Sequence, residues 1–136
     1  MRVLIFGARG QMGKVLMDLW KEKKPEDILI PVVRSTSEPS GTGEVTLENG
    51  GQGDVLVDFS RAEALDEVLA YCTASKMPLV LATTGHDEEA RKRIREASKL
   101  IPIFYSANLS LGVYVLKTLS KLAAELIGEA ADIEII

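Results

Sequence analysis

The chain has 136 residues, of which 46% are hydrophobic and 26% charged, and a formal net charge of −4. These values are typical of one globular domain that is long enough to bury a core. Basic residues are interspersed with acidic ones, which argues against a nucleic-acid-binding surface. No apolar run approaches the roughly 20 residues that span a bilayer, and no signal peptide is recognisable. We therefore expect a cytoplasmic protein with neither nucleic acid nor membrane as a partner.

The first twenty residues have the pattern of a strand, a glycine turn and a helix. An apolar run over residues 3–6 leads into Gly7, Gly10 and Gly13. Beyond the turn, apolar residues recur at helical spacing, namely Met12, Val15, Leu16, Leu19 and Trp20. This unit opens a dinucleotide-binding fold, in which the phosphates lie at the helix N-terminus. Gly7 would permit the turn, Gly10 would admit the pyrophosphate, and Gly13 would let the helix pack closely on the sheet. The G-x-x-G-x-x-G spacing is less common than G-x-G-x-x-G, and a plain strand-to-helix turn is the alternative.

Further strands are predicted over residues 28–33, 54–59, 78–82 and 102–105, and a short one over 45–47. Pro31 is unusual inside a strand because it cannot donate to the ladder. The rest of residues 34–53 is rich in Ser, Gly, Thr and Glu and is predicted to be mainly loop. A last strand is expected over residues 132–136.

Three further helices are predicted between these strands. Ser60 and Glu63 match a capping box that opens the second helix. Asp87 can cap a third helix that extends to Leu100, and a long fourth helix ends at Gly128. The inward-facing residues of these helices are expected to be Leu65, Val68, Leu69 and Cys72; then Ala90, Ile94 and Ala97; then Val113, Leu116, Leu119, Leu122, Ala123 and Leu126.

Strands that alternate with helices predict an α/β fold of the Rossmann type, a doubly wound and mainly parallel sheet of about six strands with helices on both faces. Ligands of such sheets bind beyond the carboxyl ends of the strands. Polar loops follow the predicted strands at residues 7–11, 34–36, 59–60, 83–86 and 107–110. We expect these five loops to line one crevice.

Single residues add limits on the chemistry. Cys72, the only cysteine, continues a helical stripe and is interpreted as core packing; alone it excludes an internal disulfide. His86, the only histidine, is expected to be a loop residue near the ligand rather than a general acid. Asp58 is interpreted as structural, bonding backbone N–H groups of the following turn. One histidine and one cysteine cannot build a metal site.

The end of the second strand bears on the choice of dinucleotide. NAD-binding folds of this class place Asp or Glu there to bond the ribose 2′-hydroxyl. This chain has Arg34, Ser35 and Thr36 instead. A guanidinium and two hydroxyls suit a 2′-phosphate, which favours NADPH over NADH, with dual use or a solvent-exposed arginine as alternatives.

Four motifs occur in order, each at a predicted strand end: Gly7-x-x-Gly10-x-Met12-Gly13, Asp58-Phe59-Ser60, Thr83-Thr84-Gly85 and Ala107-Asn108-Leu109-Ser110-Leu111-Gly112. Together they resemble the dihydrodipicolinate reductase (4-hydroxy-tetrahydrodipicolinate reductase) family of the diaminopimelate route to lysine. The resemblance covers the whole chain but only the cofactor-binding half of the family. It implies hydride transfer from NADH or NADPH to the substrate ring, and a homotetramer built through the second domain.

The resemblance also implies roles for the loops. The glycine loop would hold the pyrophosphate, with Phe59 and Ser60 beside the cofactor. Thr83, Thr84 and Gly85 would border the nicotinamide ring, and Ala107, Asn108 and Ser110 would close the site. The cofactor-binding set expected in this way, with the residues that the second strand adds, is Gly7, Ala8, Arg9, Gly10, Gln11, Met12, Gly13, Arg34, Ser35, Phe59, Ser60, Thr83, Thr84, Gly85, Ala107, Asn108 and Ser110.

The chain departs from the family in three places. Gln11 replaces a common arginine, for which Arg9 is a candidate substitute. His86 replaces an apolar residue. The family's catalytic segment, Glu-x-His-His followed by a lysine and a Gly-Thr pair, would lie beyond Ile136. We therefore expect a dinucleotide-binding domain, residues 1–136, that binds cofactor but not 4-hydroxy-tetrahydrodipicolinate and is inactive alone. A regulatory nucleotide-sensing module and another oxidoreductase with a similar first domain are the alternatives.

Overall fold

The computed structural model describes residues 1–34, 43–130, 132 and 134. It shows one six-stranded, fully parallel sheet in the order β3-β2-β1-β4-β5-β6. The strands are β1 (Arg2–Phe6), β2 (Ile28–Val33), β3 (Val45–Thr46), β4 (Val55–Asp58), β5 (Leu79–Leu81) and β6 (Ile103–Tyr105). The helices are α1 (Gln11–Lys23), α2 (Leu65–Ser75), α3 (Glu88–Ala97) and α4 (Leu111–Ile127), with short 3-10 turns at Ala62–Ala64 and Gly128–Ala130. The predicted Rossmann-type α/β fold is confirmed, and its strand order reverses between β1 and β4.

The core lies on both faces of β1, whose Val3, Leu4, Ile5 and Phe6 are all fully buried. Because successive side chains of a strand point to opposite faces, they divide into two clusters. Leu4 and Phe6 pack with the inward residues of α2 and α3. Val3 and Ile5 pack with α1 residues on the other face. This arrangement fixes β1, and with it the glycine turn that follows, at the centre of the sheet.

Pro31 lies within β2, opposite Ile5 of β1. The carbonyl of Val32 accepts a hydrogen bond from the Gly7 N–H on the β1 side. The missing donor of Pro31 therefore faces the outer side, where β3 pairs only from Val32 onward. The proline leaves no ladder bond unmade, which explains why it is tolerated in an interior strand.

The inward face of α1 differs from the predicted stripe. Leu16, Met17 and Trp20 pack against the sheet. Met12, Val15 and Leu19 belong to the same apolar pattern but are 59%, 53% and 51% exposed. The helical spacing identified the helix correctly, but the apolar stripe is wider than the surface that covers it.

The capping box predicted at Ser60 and Glu63 is also wrong. The chain enters a 3-10 turn at Ala62–Ala64, capped by Arg61 without a side-chain hydrogen bond, and α2 begins only at Leu65. The reason is that the Ser60 N–H donates to Asp58 Oδ1 at 2.7 Å, which holds Ser60 in the preceding turn. The predicted inward residues Leu65, Val68, Leu69 and Cys72 are all buried.

Helix α3 follows the prediction closely. Asp87 accepts a hydrogen bond from the Ala90 N–H at 2.7 Å, and Ala90, Ile94 and Ala97 are buried. The helix ends at Ala97 rather than Leu100, because the N–H groups of Lys99 and Leu100 donate to carbonyls three residues back instead of four.

Helix α4 begins at the Ser110 cap, and it ends, as predicted, at Gly128, which adopts a φ of +56°. None of its residues is buried, however. Leu116, Leu119 and Leu126 are 64%, 58% and 79% exposed, so the expected inward stripe of α4 is wrong. Amphipathic spacing shows that a helix has an apolar side; it does not show that another surface lies against that side. Apart from residues 132 and 134, the strand predicted at residues 132–136 lies outside the described residues.

Within the described parts of the chain, no helix is long and apolar enough to cross a membrane.

Candidate functional site

A cavity of about 450 Å³ lies at the carboxyl edge of the sheet, beside the switch in strand order between β1 and β4. Three strand-end segments line it, one after β1, one at the end of β2 and one after β4. The lining residues are Phe6, Gly7, Ala8, Arg9, Gly10, Val32, Val33, Arg34, Phe59, Ser60 and Arg61. Seven of these are residues that were predicted to bind the cofactor: Gly7, Ala8, Arg9, Gly10, Arg34, Phe59 and Ser60.

The glycine turn is packed too tightly to accept side chains. Gly7 has a φ of +85°, and a Cβ there would lie 2.8 Å from the backbone of Phe59 and Ser60. A Cβ on Gly13 would overlap the Gly7 carbonyl and lie 2.7 Å from the Ala8 Cα. Gly13 was expected to let α1 pack closely on the sheet. Its close neighbours are instead Gly7 and Ala8, so it allows α1 to begin directly against the turn. The result is a turn whose backbone is open on the side of the cavity.

The N-terminus of α1 carries no competing negative group. Its cap, Gly10, offers no side-chain hydrogen bond, and the first turn, which includes Gln11 and Met12, contains no acidic residue. The first N–H groups of a helix have no intrahelical acceptor, and they lie at the positive end of the helix dipole. This end of α1 is therefore suited to an anionic group such as a phosphate.

Asp58 shapes the second wall of the cavity. Its carboxyl is fully buried at the end of β4, and its Oδ1 accepts the hydrogen bond from the Ser60 N–H. The predicted structural role of Asp58 is confirmed. Burial raises the pKa of Asp58 to about 6, although the hydrogen bond from Ser60 opposes the change. Asp58 Oδ2 and Ser60 Oγ have no hydrogen-bond partner in the described chain.

Three arginines line the cavity, and two of them, Arg9 and Arg34, differ in their contacts. Arg9 forms a two-pronged ion pair with Glu44, with Nη2–Oε2 and Nε–Oε1 distances of 2.7 and 3.0 Å. Its charge is already engaged, which weakens its candidacy as a substitute for the arginine that Gln11 replaces. Arg34 is exposed and forms no ion pair with any described residue. Ser35, the other residue expected to favour NADPH, lies outside the described residues.

The loop after β5 folds back on itself. Thr83 and His86 are both buried, and the His86 Nε2 lies 2.7 Å from the Thr83 Oγ1. Thr84 and Gly85 between them are exposed. No pattern in the sequence predicts this contact, because the periodicity of helices and strands does not extend into loops.

The loop after β6 is held by its own polar groups. The Asn108 Oδ1 accepts a hydrogen bond from the Ser110 N–H at 2.7 Å, and the Ser106 Oγ donates to the Asn108 carbonyl. Ala107, Asn108 and Ser110 are exposed. The loops after β5 and β6 lie at the same sheet edge as the cavity but contribute no lining residue. The cavity thus gathers three of the five loops expected to share one crevice.

Cys72 is buried and unpaired, and burial raises the pKa of its thiol to about 12. It is core packing, as predicted. Among the described residues, no three His, Cys, Asp or Glu side chains come close enough to hold a metal ion.

Comparison with known proteins assigns the chain to a family. A family model described as dihydrodipicolinate reductase, N-terminus, matches residues 1–109. A 4-hydroxy-tetrahydrodipicolinate reductase from Caldanaerobacter subterraneus subsp. tengcongensis is 42% identical over 136 residues, and one from Clostridium tetani is 37% identical over 139 residues. Each alignment covers 99% of this chain and 54% of the relative, so the chain spans about half the length of these proteins.

Solved structures support the fold. A probable dehydrogenase from Thermotoga maritima superposes with a TM-score of 0.61 at 16% identity, covering 95% of this chain and 43% of that protein. The structure of cell-free ID.343 from Thermus thermophilus gives a TM-score of 0.53 at 20% identity, covering 75% of this chain and 79% of that protein. The family match over residues 1–109 and the sequence relatives together show that this chain belongs to the dihydrodipicolinate reductase family and corresponds to the N-terminal part of its members.

Proposed function

We propose that the chain is the NADPH-binding part of a 4-hydroxy-tetrahydrodipicolinate reductase that acts in the diaminopimelate route to lysine. The observation that carries the proposal is the convergence of three strand-end segments on one cavity beside the N-terminus of α1. Family membership supports a nicotinamide dinucleotide as the ligand. A cytoplasmic location is part of the proposal and agrees with the free, buried Cys72.

The residues around the cavity fit the phosphate part of a dinucleotide. A Cβ at Gly7 or Gly13 would clash with neighbouring backbone atoms, so only glycine permits a turn as narrow as this one. Uncapped N–H groups at the start of α1 can donate to the pyrophosphate. The Ser60 Oγ, which has no partner among the described residues, is a further group that the ligand can satisfy. Residues 7–13 together with Phe59 and Ser60 would thus orient the cofactor along the carboxyl edge of the sheet.

Arg34 supports the preference for NADPH. It lines the cavity at the end of β2, the position at which this fold meets the adenosine ribose. A guanidinium can pair with a 2′-phosphate through two charge-assisted hydrogen bonds, whereas NADH offers only a hydroxyl. Among the described residues that line the cavity, none is acidic and could select the hydroxyl instead.

The dinucleotide would supply a hydride for the substrate ring, and this chain would bind it, orient it and exclude water from it. Thr83, Thr84 and Gly85, and Ala107, Asn108 and Ser110, would meet the nicotinamide end at the same sheet edge. The curated relatives are nearly twice as long. We propose that the half not represented here binds substrate and builds a homotetramer, and that the 136-residue chain alone has little or no reductase activity.

The test is a calorimetric titration of the chain with NADPH and NADH, using Arg34→Ala as the variant. Loss of a charge-assisted contact should weaken NADPH binding roughly 10- to 100-fold and NADH binding little. Arg93→Ala is the matched control, because it removes the same charge from α3, where Arg93 pairs with Asp66. It should leave both affinities unchanged. Binding of neither dinucleotide by the wild type would refute the proposal, and tighter binding of NADH would refute the NADPH preference.

A further inference from the structure

The loop after β5 contains a buried polar pair that the proposed function does not yet use. Thr83 is 4% exposed and His86 is 6% exposed, and the Thr83 Oγ1 and His86 Nε2 are 2.7 Å apart. Gly85, with a φ of +85°, turns the chain so that His86 returns to Thr83. Only Thr84 and Gly85 are left exposed at the sheet edge. The conformation of this exposed tip therefore depends on the contact behind it.

The partners of the two ring nitrogens indicate which nitrogen carries the hydrogen. Burial lowers the pKa of His86, and Arg91 and Arg93 act in the same direction against Asp87, so the ring is neutral near pH 7. The Nδ1 is buried and has no hydrogen-bond partner among the described residues. A buried N–H without an acceptor is rarer than a bare acceptor, so the hydrogen belongs on Nε2. The His86 Nε2–H then donates to the Thr83 Oγ1 and leaves the hydroxyl hydrogen of Thr83 available to another acceptor.

We propose that His86 is a positioning residue of the dinucleotide site, whose Nε2–H holds Thr83 and thereby keeps Thr84 and Gly85 in the conformation that receives the nicotinamide end. This inference rests on the proposed function, which places that loop beside the nicotinamide. The ring lies edge-on to Tyr105, with centroids 5.7 Å apart and planes at 62°. A phenylalanine could keep this packing, so the contribution of the nitrogen can be separated from that of the ring.

The first test is direct. His86 is the only histidine in the sequence, so its ring nitrogens give one set of nuclear magnetic resonance signals. Nitrogen-15 spectra near pH 7.5 should show the Nε2–H tautomer in the wild type. The Nδ1–H tautomer would overturn the proposal, since His86 could then only accept from Thr83 and would leave its own N–H buried and unpaired.

The second test compares dinucleotide affinity by calorimetry in variants of the 136-residue chain. His86→Phe keeps the ring volume but removes the donor, and should weaken NADPH binding about five- to tenfold. His86→Gln can place an amide N–H near the position of Nε2 and should recover most of the loss. Thr83→Val should match His86→Phe, and the double variant should be no worse than either single variant, because all three lose the same hydrogen bond.

Thr73→Val is the matched control. It removes a hydroxyl that donates to the Leu69 carbonyl at 2.7 Å on α2, away from the strand-end loops, and should leave NADPH affinity unchanged. Thermal unfolding identifies any variant that does not fold. If His86→Phe does not fold, the affinities of His86→Gln and Thr83→Val test the proposal instead. Wild-type chain that binds neither dinucleotide refutes the proposed function and this inference with it. Wild-type binding that His86→Phe and Thr83→Val leave intact, or additive losses in the double variant, refutes this inference alone.

Discussion

The buried carboxyl of Asp58 should make the stability of the chain depend on pH in a way that one substitution removes. Asp58 is fully buried, one oxygen accepts the Ser60 N–H, and the other has no partner in the described chain. Burial raises its pKa from 3.8 to about 6. The folded state thus keeps a proton that the unfolded state has already released.

The sign follows from proton binding. Below pH 3.8 both states are protonated, and between 3.8 and about 6 only the folded state holds the proton. Stability contributed by Asp58 is therefore present at low pH and is lost as the pH rises through about 6. Two pH units between the folded and unfolded pKa correspond to about 3 kcal/mol, which is the cost of the buried carboxylate above that pH.

The substitution is Asp58→Asn, which keeps an oxygen for Ser60 but carries no charge. Its amide N–H groups are left without acceptors, at a cost of about 1–3 kcal/mol that does not vary with pH. The free energy of unfolding of the variant minus that of the wild type should thus rise by about 2–3 kcal/mol from pH 4 to pH 7.5.

Urea denaturation followed by circular dichroism over this pH range measures the difference. Subtraction removes the contributions of other groups, including His86, whose lowered pKa acts in the opposite direction below about pH 6.5. Asp54→Asn is the matched control, because Asp54 also accepts a backbone N–H at 2.7 Å but is exposed. A difference for Asp58→Asn that stays flat across the range would refute the reasoning.

Three other predictions concern the glycine turn, the core and a helix cap. Gly7→Ala should lower the free energy of unfolding by about 3 kcal/mol. About 1–2 kcal/mol of this comes from the positive φ, and the rest comes from contact of the new Cβ with the backbone of Phe59 and Ser60. Urea denaturation measures the change, and an Ala variant as stable as the wild type would show that the turn is looser than described. Cys72, with its pKa raised to about 12, should resist a disulfide reagent until the chain is unfolded in urea, and rapid reaction of the native chain would contradict its placement in the core. Asp87→Ala should destabilise the fold by about 1 kcal/mol through loss of the α3 cap, while Glu89→Ala on the exposed side of the same turn should change it little.

The fold was predictable because its signals are local. Each buried strand gives an apolar run, and each amphipathic helix gives a periodic apolar stripe whether or not that stripe is covered, so the six strands and four helices of the described residues were found within a few residues. The prediction of β2 was correct despite Pro31, because the position of the missing N–H faces the side of β2 on which β3 pairs only from Val32 onward.

The errors arose where one sequence pattern is compatible with two local structures and only tertiary contacts decide between them. Ser60 matched a helix cap, but the buried Asp58 engages its N–H first. The apolar side of α4 matched a core stripe, although no residue of α4 is buried.

The site was predictable in part for the same reason. Gly7 and Gly13 follow from steric limits on a turn, and the cavity confirms that the segments after β1, β2 and β4 converge. Pairs that join residues distant in sequence, such as Arg9 with Glu44, leave no periodic signal. Thr83 and His86 are close in sequence, but their contact depends on the turn at Gly85, which no sequence pattern predicts.

The central claim is that the cavity beside the α1 N-terminus binds the dinucleotide. Amide chemical shifts of the nitrogen-15-labelled chain, followed during titration with NADPH, test it most directly. If the cavity binds the dinucleotide, saturable changes are expected at Gly7, Gly10, Gly13, Arg34 and Ser60, with the outer face of α3 unaffected. Changes confined to a second groove, which lies between α2 and α3 and is lined by residues such as Asp66, Leu69 and Arg93, would contradict it, as would no changes at saturating NADPH.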